Sequence, residues 1–428
     1  MAEPLIHPAG PDGSTGIAPP SARLLGPAAL MSVAFLGANA LSYVFTVLAA
    51  RALAPAAFGE LAALLSVLFV GTVPATGLQT AAALYLGRSD ANRTDAVLAR
   101  LHGATVVTGL VVVAGGVVAA APLTALLHLP HAGAVAWLVA LLLPSTLTLG
   151  YQGMLQGSGR YGRLAGVNAF LGFAKFAGGT AGLVIGGTPT AALAGMTVAT
   201  AAAALAGWTG CGRPGLSRGV RAPLTAALRA SGALLGFVLL LNLDVLLARH
   251  HLAAAHAGEY AVGSIITKVA FWLPQGVGVV LLPRLADEAH RRQYLPAALG
   301  LVGAVGALLT LGTAALGSSA LPLIGGSAYG DTLGAATWLF AALGTLLALA
   351  QLLLYSGIAA ADRLAVGAVW AAAGAEVVVV EALSATGRLA VVPLAVTAVA
   401  TALALVAVGL LRSRGAQPAG NGPDHPAE

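Results

Sequence analysis

The stretch VLAARALAPAAFGELAAL, residues 47–64, returns later in the chain as VLLARHHLAAAHAGEYAVG, residues 245–263. Each copy follows an apolar run, carries one arginine, continues with Ala-rich sequence and reaches a Gly-Glu pair. The matching arginines, Arg51 and Arg249, lie 198 positions apart, and the Gly-Glu pairs keep this spacing to within one residue. A repeat at nearly constant spacing predicts that the chain consists of two copies of one unit.

Apolar residues dominate the sequence around these copies. Hydrophobic residues make up 58% of the 428 positions, charged residues only 8%, and the mean hydropathy is +0.90, a composition that soluble globular proteins do not have. A helix needs about 20 apolar residues to cross a hydrocarbon core of about 30 Å. The polar–apolar alternation of outer-membrane strands is absent, so the spans are helical. We predict twelve transmembrane helices, at 27–50, 58–84, 101–121, 133–155, 164–185, 190–208, 231–251, 258–282, 296–318, 332–356, 364–383 and 389–411.

The longest polar interruption divides the twelve spans six and six. An even number of spans per copy gives both copies the same orientation, which predicts an all-α integral membrane protein with two parallel six-helix lobes around a central cleft. Such lobes can rock against each other and expose a site at mid-membrane to either side in turn. The predicted parts are a disordered tail at 1–24, an N-lobe at 25–210, a basic linker at 211–230, a C-lobe at 231–411 and a second disordered tail at 412–428.

The basic residues indicate how the chain is oriented. Of the 21 Lys and Arg residues, Lys175 and Lys268 fall inside spans, and only Arg51, Arg249 and Arg388 fall on one side of the membrane. The other sixteen fall on the opposite side, which the positive-inside rule assigns to the cytoplasm. We therefore predict a bacterial inner-membrane protein with both termini in the cytoplasm. The net charge of +6 is spread over short loops and does not indicate nucleic-acid binding.

Three stretches resemble the polysaccharide-export branch of the multidrug/oligosaccharidyl-lipid/polysaccharide (MOP) exporter superfamily. The first, residues 41–85, contains an arginine, a Phe-Gly pair and later Gly-Leu-Gln. The second, YQGMLQGSGRYGRLAGVNAF at 151–170, contains Leu-Gln-Gly followed by an arginine, an aromatic residue and another arginine. The third, residues 242–287, is the most specific, with an Asp in the helix, a Gly-x-Tyr after the turn, a Lys one helix later and a Pro at the inner end.

This resemblance implies a flippase that moves a lipid-linked oligosaccharide or polysaccharide precursor across the inner membrane by alternating access. Multidrug exporters of the same superfamily also have twelve spans, so a cation-coupled multidrug exporter stays open as an alternative. An ATP-driven pump is excluded because no G-x-x-x-x-G-K-[ST] motif occurs.

A membrane enzyme of glycan assembly, or a scaffold without transport, is the alternative from another class. The predicted outer loops are too short to hold a catalytic domain with its carboxylates, so we expect neither enzyme activity nor a cofactor. The expected partners are membrane lipid and, as a hypothesis, a polyprenyl-diphosphate-linked glycan, bound by a monomer.

Four charged residues lie inside predicted spans, where each costs about 2.5–3.5 kcal/mol. Lys175 and Lys268 lie at similar depth in the two halves, and we hypothesise that they bind a diphosphate, since ammonium groups bind phosphate as point charges. Asp244 can hold Lys268 until substrate arrives or form a purely structural ion pair with it. Glu376 is a candidate for proton coupling or a buried helix contact, and its pairing with Lys175 is a further alternative.

Other arginines lie at the two predicted surfaces. Arg51 and Arg249 are predicted at the outer mouth of the cleft. Arg160 and Arg163 follow a Gly-rich turn on the inner side, where they can touch lipid phosphates or serve as ordinary positive-inside anchors.

The remaining reactive side chains receive no functional assignment from their sequence positions. The single cysteine, Cys211, excludes an internal disulfide. The histidine spacings form no recognised zinc pattern, so we expect no metal and assign these residues to the interfacial surface. The histidines at the predicted outer turns are His128, His131, His250, His251 and His256.

Overall fold

A computed structural model describes residues 20–88, 94–217, 221–273, 288–330, 332–359 and 363–415. Within these ranges the chain forms helices joined by short turns, and it forms no β-strand. Lipid offers no hydrogen-bond partner to the backbone, so each apolar segment must satisfy its own N–H and C=O groups as a helix. The α-helices are α1 (Pro20–Ala52), α2 (Pro55–Gly71), α3 (Val73–Gly87), α4 (Thr94–Leu126), α5 (Gly133–Gly157), α6 (Tyr161–Gly186), α7 (Pro189–Gly210), α8 (Arg221–His251), α9 (Ala254–Trp272), α10 (Glu288–Leu316), α11 (Ala320–Gly325), α12 (Trp338–Ala359), α13 (Arg363–Ala385) and α14 (Val391–Gly415).

Within the described ranges, eleven segments are long and apolar enough to cross a membrane. One of them, Pro55–Gly87, joins α2 and α3 across a break at Thr72, and the six-residue α11 is too short to span by itself. The predicted span 258–282 is not among these eleven. Its first part is α9, whose hydropathy is lowered by Glu259 and Lys268, and its second part lies outside the described residues. The prediction of an all-α membrane protein is confirmed, and eleven of the twelve predicted spans are found among the described residues.

The helices replace part of the predicted tails and linker. The first helix begins at Pro20, within the predicted tail 1–24, and the rest of that tail lies outside the described residues. The last helix continues to Gly415, and residues 416–428 also lie outside. In the predicted linker, the Ala-rich second part is already helical because α8 begins at Arg221.

The helices pack in two lobes. In the first lobe, α6 packs between α1 and α7, and α5 packs against α3, α4 and α7. In the second lobe, α12 packs against α9, α10 and α14, while α13 packs against α8 and α14. Small residues allow close approach, because a Cβ atom on Gly178 would lie 2.3 Å from the carbonyl oxygen of Gly195 in the neighbouring helix.

The lobes meet along equivalent helices of the two copies. The second spans of the two halves meet where α2 packs against α9. In addition, α3 packs against α8, the first span of the C-lobe. The equivalent glycines Gly59 and Gly258 lie against each other, and a Cβ atom on Gly258 would lie only 1.9 Å from the carbonyl oxygen of Pro55. Two parallel copies related by an axis along the membrane normal produce this like-to-like contact. We call the side of the molecule that carries this contact the outer side, following the predicted orientation.

Candidate functional site

Two buried carboxylates lie in the C-lobe, on different helices. Asp244 on α8 is 3% exposed, and Glu376 on α13 is 2% exposed. The Tyr260 hydroxyl of α9 donates a hydrogen bond to Asp244 Oδ2 over 3.0 Å. The Thr401 hydroxyl of α14 lies 3.3 Å from Glu376 Oε2, while Glu376 Oε1 has no hydrogen-bond partner among the described residues. Four helices of one lobe therefore contribute side chains to a buried acidic cluster.

The two carboxylates of this cluster are close enough to repel each other electrostatically. A pair of like charges away from water is stable only if a proton or a cation neutralises part of it. The cluster therefore has the chemistry of a proton or monovalent cation site, in which the carboxylates and the Tyr260 and Thr401 hydroxyls supply oxygen atoms.

Lys268 lies at the lobe interface. Its ammonium Nζ is 5.9 Å from the centroid of the Phe69 ring in α2, and its backbone carbonyl accepts a hydrogen bond of 3.2 Å from the Tyr43 hydroxyl of α1. Both contacts come from the N-lobe, and the Lys268 side chain is half-buried. The face of an aromatic ring attracts a cation more weakly than a carboxylate does, so Lys268 keeps its capacity to bind an anion.

The predicted pair of Asp244 and Lys268 does not form a salt bridge in the described part of the chain. The two charges attract each other at longer range, but the carboxylate is hydrogen-bonded by Tyr260 and the ammonium group lies over Phe69. The predicted ion pair is therefore absent from the described residues, where Tyr260 contacts the carboxylate and Phe69 contacts the ammonium group.

Lys175 lies on α6 in the N-lobe. Its side chain is half-buried, and among the described residues it makes neither a salt bridge nor a side-chain hydrogen bond. Its helix is fixed on both sides, by contact of Gly172 with Ala38 of α1 and of Gly178 with α7. No salt bridge joins Lys175 to Glu376 within the described ranges, and no described contact joins it to Lys268. Lys175 is therefore a cationic side chain in an apolar lobe, and its ammonium group has hydrogen-bonding capacity that no described residue uses.

The outer arginines connect the lobes reciprocally. Arg51 of the N-lobe donates from Nε to the Ile324 carbonyl of α11 over 2.9 Å and from Nη2 to the Leu323 carbonyl. Arg249 of the C-lobe donates from Nε to the Leu127 carbonyl over 3.0 Å and from Nη2 to the His128 carbonyl over 3.2 Å. These carbonyls lie at or just beyond helix C-termini, which lack intrahelical donors and favour positive charge.

The Gly-Glu pairs of the two copies add carboxylates that the sequence analysis left without a role. Glu60 is buried and attracts Arg249 electrostatically. Glu259, its equivalent, accepts hydrogen bonds from the backbone N–H groups of Thr332 and Leu333, over 3.0 and 2.9 Å. The repeated Gly-Glu was the available signal, because a carboxylate retained at the same place in both copies indicates a shared structural task.

The inner arginines differ from each other. Arg163 Nη1 donates to the Gly210 carbonyl at the end of α7 over 3.0 Å, so it anchors a helix end, whereas Arg160 is exposed and free to meet lipid phosphates. Next to them, Cys211 is buried and its thiol lies 3.6 Å from the Tyr151 carbonyl. Burial raises the pKa of the Cys211 thiol to about 12, against the opposing effect of Arg160 and Arg163. This thiol is therefore protonated and unreactive.

The architecture and the charges define a class of protein: a multi-pass, all-helical membrane protein with two lobes and charged groups at and beside the lobe interface. No protein-family model matches the chain, and no curated protein matches it. Solved structures do match. The lipid II flippase MurJ in an inward closed conformation has a TM-score of 0.72 at 12% identity, covering 90% of this chain and 87% of that one.

Two MATE transporters have the same fold. A MATE family transporter of the MOP superfamily in an outward-facing conformation matches with a TM-score of 0.60 at 14% identity, over 91% of this chain and 94% of that one. A MATE transporter from Vibrio cholerae matches with a TM-score of 0.61 at 16% identity, over 92% and 96%. The chain therefore has the two-lobe helical fold of these solved transporters.

Proposed function

We propose that this protein is a flippase that moves a lipid-linked oligosaccharide or polysaccharide precursor across the bacterial inner membrane by alternating access. The fold supports transport, because two lobes that meet along α2, α3, α8 and α9 can rock against each other. The predicted orientation places both termini in the cytoplasm and the arginine contacts outside. The proposed direction, from the cytoplasmic to the outer leaflet, follows the resemblance to polysaccharide exporters.

The observation that carries this proposal is the position of Lys268. The residue lies where the lobes meet, it contacts Tyr43 and Phe69 of the opposite lobe, and it forms no described salt bridge. An ammonium group held over a single aromatic ring can exchange this contact for a diphosphate, which carries more negative charge than any neighbour. Lys175 supplies the second cation from the N-lobe, and Arg160 meets lipid phosphates at the inner mouth.

The outer arginines serve the conformational change. In the described state they join each lobe to a helix end of the other, so the outer side is closed. Opening must break the bonds of Arg51 and Arg249 together, because both cross the same interface. Substrate bound between the lobes stabilises the outer-open state only if it interacts with that state more strongly than with the outer-closed state.

The acidic cluster is the candidate coupling site. A proton or monovalent cation entering between Asp244 and Glu376 removes their repulsion and draws α8 and α13 together. Since α8 also carries Arg249 at its outer end, ion binding can alter the outer contact through one continuous helix. Ion binding is thereby linked to the contact between the lobes.

The proposal is tested in a strain that lacks the chain. We expect lipid-linked oligosaccharide to accumulate on the cytoplasmic leaflet, and the intact gene to remove the accumulation. Lys268→Ala should fail to restore transport while inserting normally, and Lys268→Arg should restore it in part because it keeps the charge. Full restoration by both Lys268→Ala and Lys175→Ala would remove the proposed site.

A cation-coupled multidrug exporter is the second candidate, and the acidic cluster favours it. Buried carboxylates with an unpartnered oxygen suit cationic drugs as well as coupling ions. If the strain without the chain becomes sensitive to cationic drugs and accumulates no lipid-linked glycan, this function replaces the flippase. The two outcomes are measured in the same strain.

A further inference from the structure

Three potential metal ligands meet on the outer side of the C-lobe, away from the acidic cluster. His250 and His251 are the last residues of α8, and Glu381 lies near the end of α13. One ligand atom from each residue lies within 4.8 Å of the others. The histidines are half-buried and the carboxylate is exposed, so the group is accessible from water on one side.

The tautomer of His250 is fixed by its neighbour. Its Nδ1 lies 2.6 Å from the carbonyl oxygen of Leu126, which can only accept a hydrogen bond, so Nδ1 carries the hydrogen. In the neutral ring Nε2 then holds a free lone pair. The ring of His128 stacks on that of His250 with a centroid distance of 5.4 Å, which holds the plane of the ring. Metal-binding histidines characteristically donate their second ring N–H to a carbonyl or carboxylate in this way.

His251 is oriented from both sides by α13. Its Nε2 lies 3.2 Å from Glu381 Oε1, and its Nδ1 lies 3.3 Å from the Ser384 hydroxyl. A hydroxyl both donates and accepts, so Ser384 can satisfy Nδ1 in either tautomer. When Nδ1 donates to Ser384, Nε2 carries no hydrogen and its lone pair points towards the carboxylate. A cation can then bind between Nε2 and the carboxylate.

We propose that His250, His251 and Glu381 bind a divalent transition-metal ion of the Zn²⁺ class, with a water molecule in the fourth position. Two imidazoles and one carboxylate suit zinc and exclude a preference for Mg²⁺ or Ca²⁺, which take oxygen ligands. Zinc–ligand bonds of about 2.0–2.2 Å require the ligand atoms to approach to about 3.4 Å. His251 Nε2 and Glu381 Oε1 are already 3.2 Å apart, and side-chain rotation closes the remaining separations, which are at most 4.8 Å.

The neighbouring positive charge does not prevent binding. Arg249 precedes His250, but its guanidinium points to the Leu127 and His128 carbonyls and is attracted by Glu60. The ion joins the outer end of α8 to the outer end of α13. Because His250 is also bonded to Leu126 of the N-lobe, the site is best formed while the outer side is closed.

The test measures metal binding and does not depend on transport. The purified full chain in detergent, freed of metal with a chelator, is titrated with Zn²⁺ by calorimetry at pH 7.5, and with Co²⁺ by visible absorption. We expect one equivalent to bind and the Co²⁺ spectrum to have the intense bands of a tetrahedral site. His250→Ala, His251→Ala and Glu381→Gln should each weaken Zn²⁺ binding at least about tenfold.

His256→Ala is the matched control, because this exposed histidine lies close by in the chain, in the first turn of α9, and outside the cluster. It should bind Zn²⁺ like the unmodified chain. Helical circular dichroism and size-exclusion profiles establish that each variant is folded. Absence of saturable binding to the unmodified chain, or equal binding by the folded Glu381→Gln and His250→Ala variants, would overturn the metal site and leave the flippase proposal untouched.

Discussion

Replacing Arg249 with alanine tests whether the outer arginines keep the lobes together. The side chain is 6% exposed, and its Nε and Nη2 donate to the Leu127 and His128 carbonyls of the other lobe. A third and longer contact, of 3.4 Å, joins Nη1 to the Ala56 carbonyl. Arg249→Ala removes all three contacts and leaves Glu60 buried without its cation.

The size of the effect follows from the two shorter bonds. A hydrogen bond that involves a charged group contributes about 1.5–3 kcal/mol when it is protected from water. The outer side is close to water, so we take the lower value for each, which gives about 3 kcal/mol for the pair. Since 1.4 kcal/mol is a factor of ten, the equilibrium between the outer-closed and outer-open states should shift about 100-fold towards open.

The shift is measurable as a distance between the lobes. Spin labels are placed on the exposed outer residues Ala132 of the N-lobe and Ala385 of the C-lobe, in a Cys211→Ala background. Pulsed electron paramagnetic resonance should give mainly short distances in the unmodified chain and a large population of longer distances in Arg249→Ala. Transport by the variant should fall, because most molecules then stay in the outer-open state.

Arg388→Ala is the control for loss of an exposed outer arginine, and it should leave the distance distribution unchanged. Arg51→Ala should act in the same direction as Arg249→Ala. The reasoning is refuted if Arg249→Ala inserts and folds normally and yet keeps the distance distribution of the unmodified chain.

Three further predictions concern other parts of the molecule. Gly258→Ala should open the outer side in the same labelling experiment, because its Cβ would lie 1.9 Å from the Pro55 carbonyl oxygen. The control Gly303→Ala, whose Cβ would have nothing within 4 Å, should leave the outer side closed. Equal label distances in the two variants would contradict the role of this contact. Glu376→Gln should abolish the dependence of transport on the coupling ion without preventing folding, since the amide keeps the size of the side chain and removes its charge. An unchanged ion dependence in reconstituted vesicles would exclude Glu376 from coupling. Cys211 should react with a maleimide about three orders of magnitude more slowly at pH 7.5 than an ordinary thiol, because its raised pKa leaves almost no thiolate. The reaction should become faster as the pH rises towards 12. Rapid labelling at pH 7.5 would contradict the burial of the thiol.

The sequence was sufficient to predict the membrane architecture. Apolar runs of helix length and a repeat at 198 residues determine the number of spans, the two lobes and their parallel relation. The span at 258–282 was also predicted, although Glu259 and Lys268 make its first part less apolar than the other spans. The resemblance pointed to the superfamily whose transporters share the fold.

The candidate site was only partly predictable. Depth along a helix placed Asp244 and Lys268 at compatible levels, but it carried no information on rotation about the helix axis, and Tyr260 and Phe69 take the contacts instead. The reciprocal bonds of the outer arginines depend on carbonyls more than 100 residues away, which no motif encodes. Likewise, the spacing of the histidines could not indicate Glu381, which the packing of α13 on α8 brings to them.

Movement of a labelled lipid in a defined membrane tests the central claim most directly. The purified chain is reconstituted into vesicles with a fluorescent polyprenyl-diphosphate-linked oligosaccharide, and the fraction of lipid accessible to a membrane-impermeant quencher is followed over time. The claim predicts faster exchange between leaflets with the unmodified chain than with Lys268→Ala or with protein-free vesicles. Exchange at the protein-free rate, with the outer labels still moving between short and long distances, would contradict it.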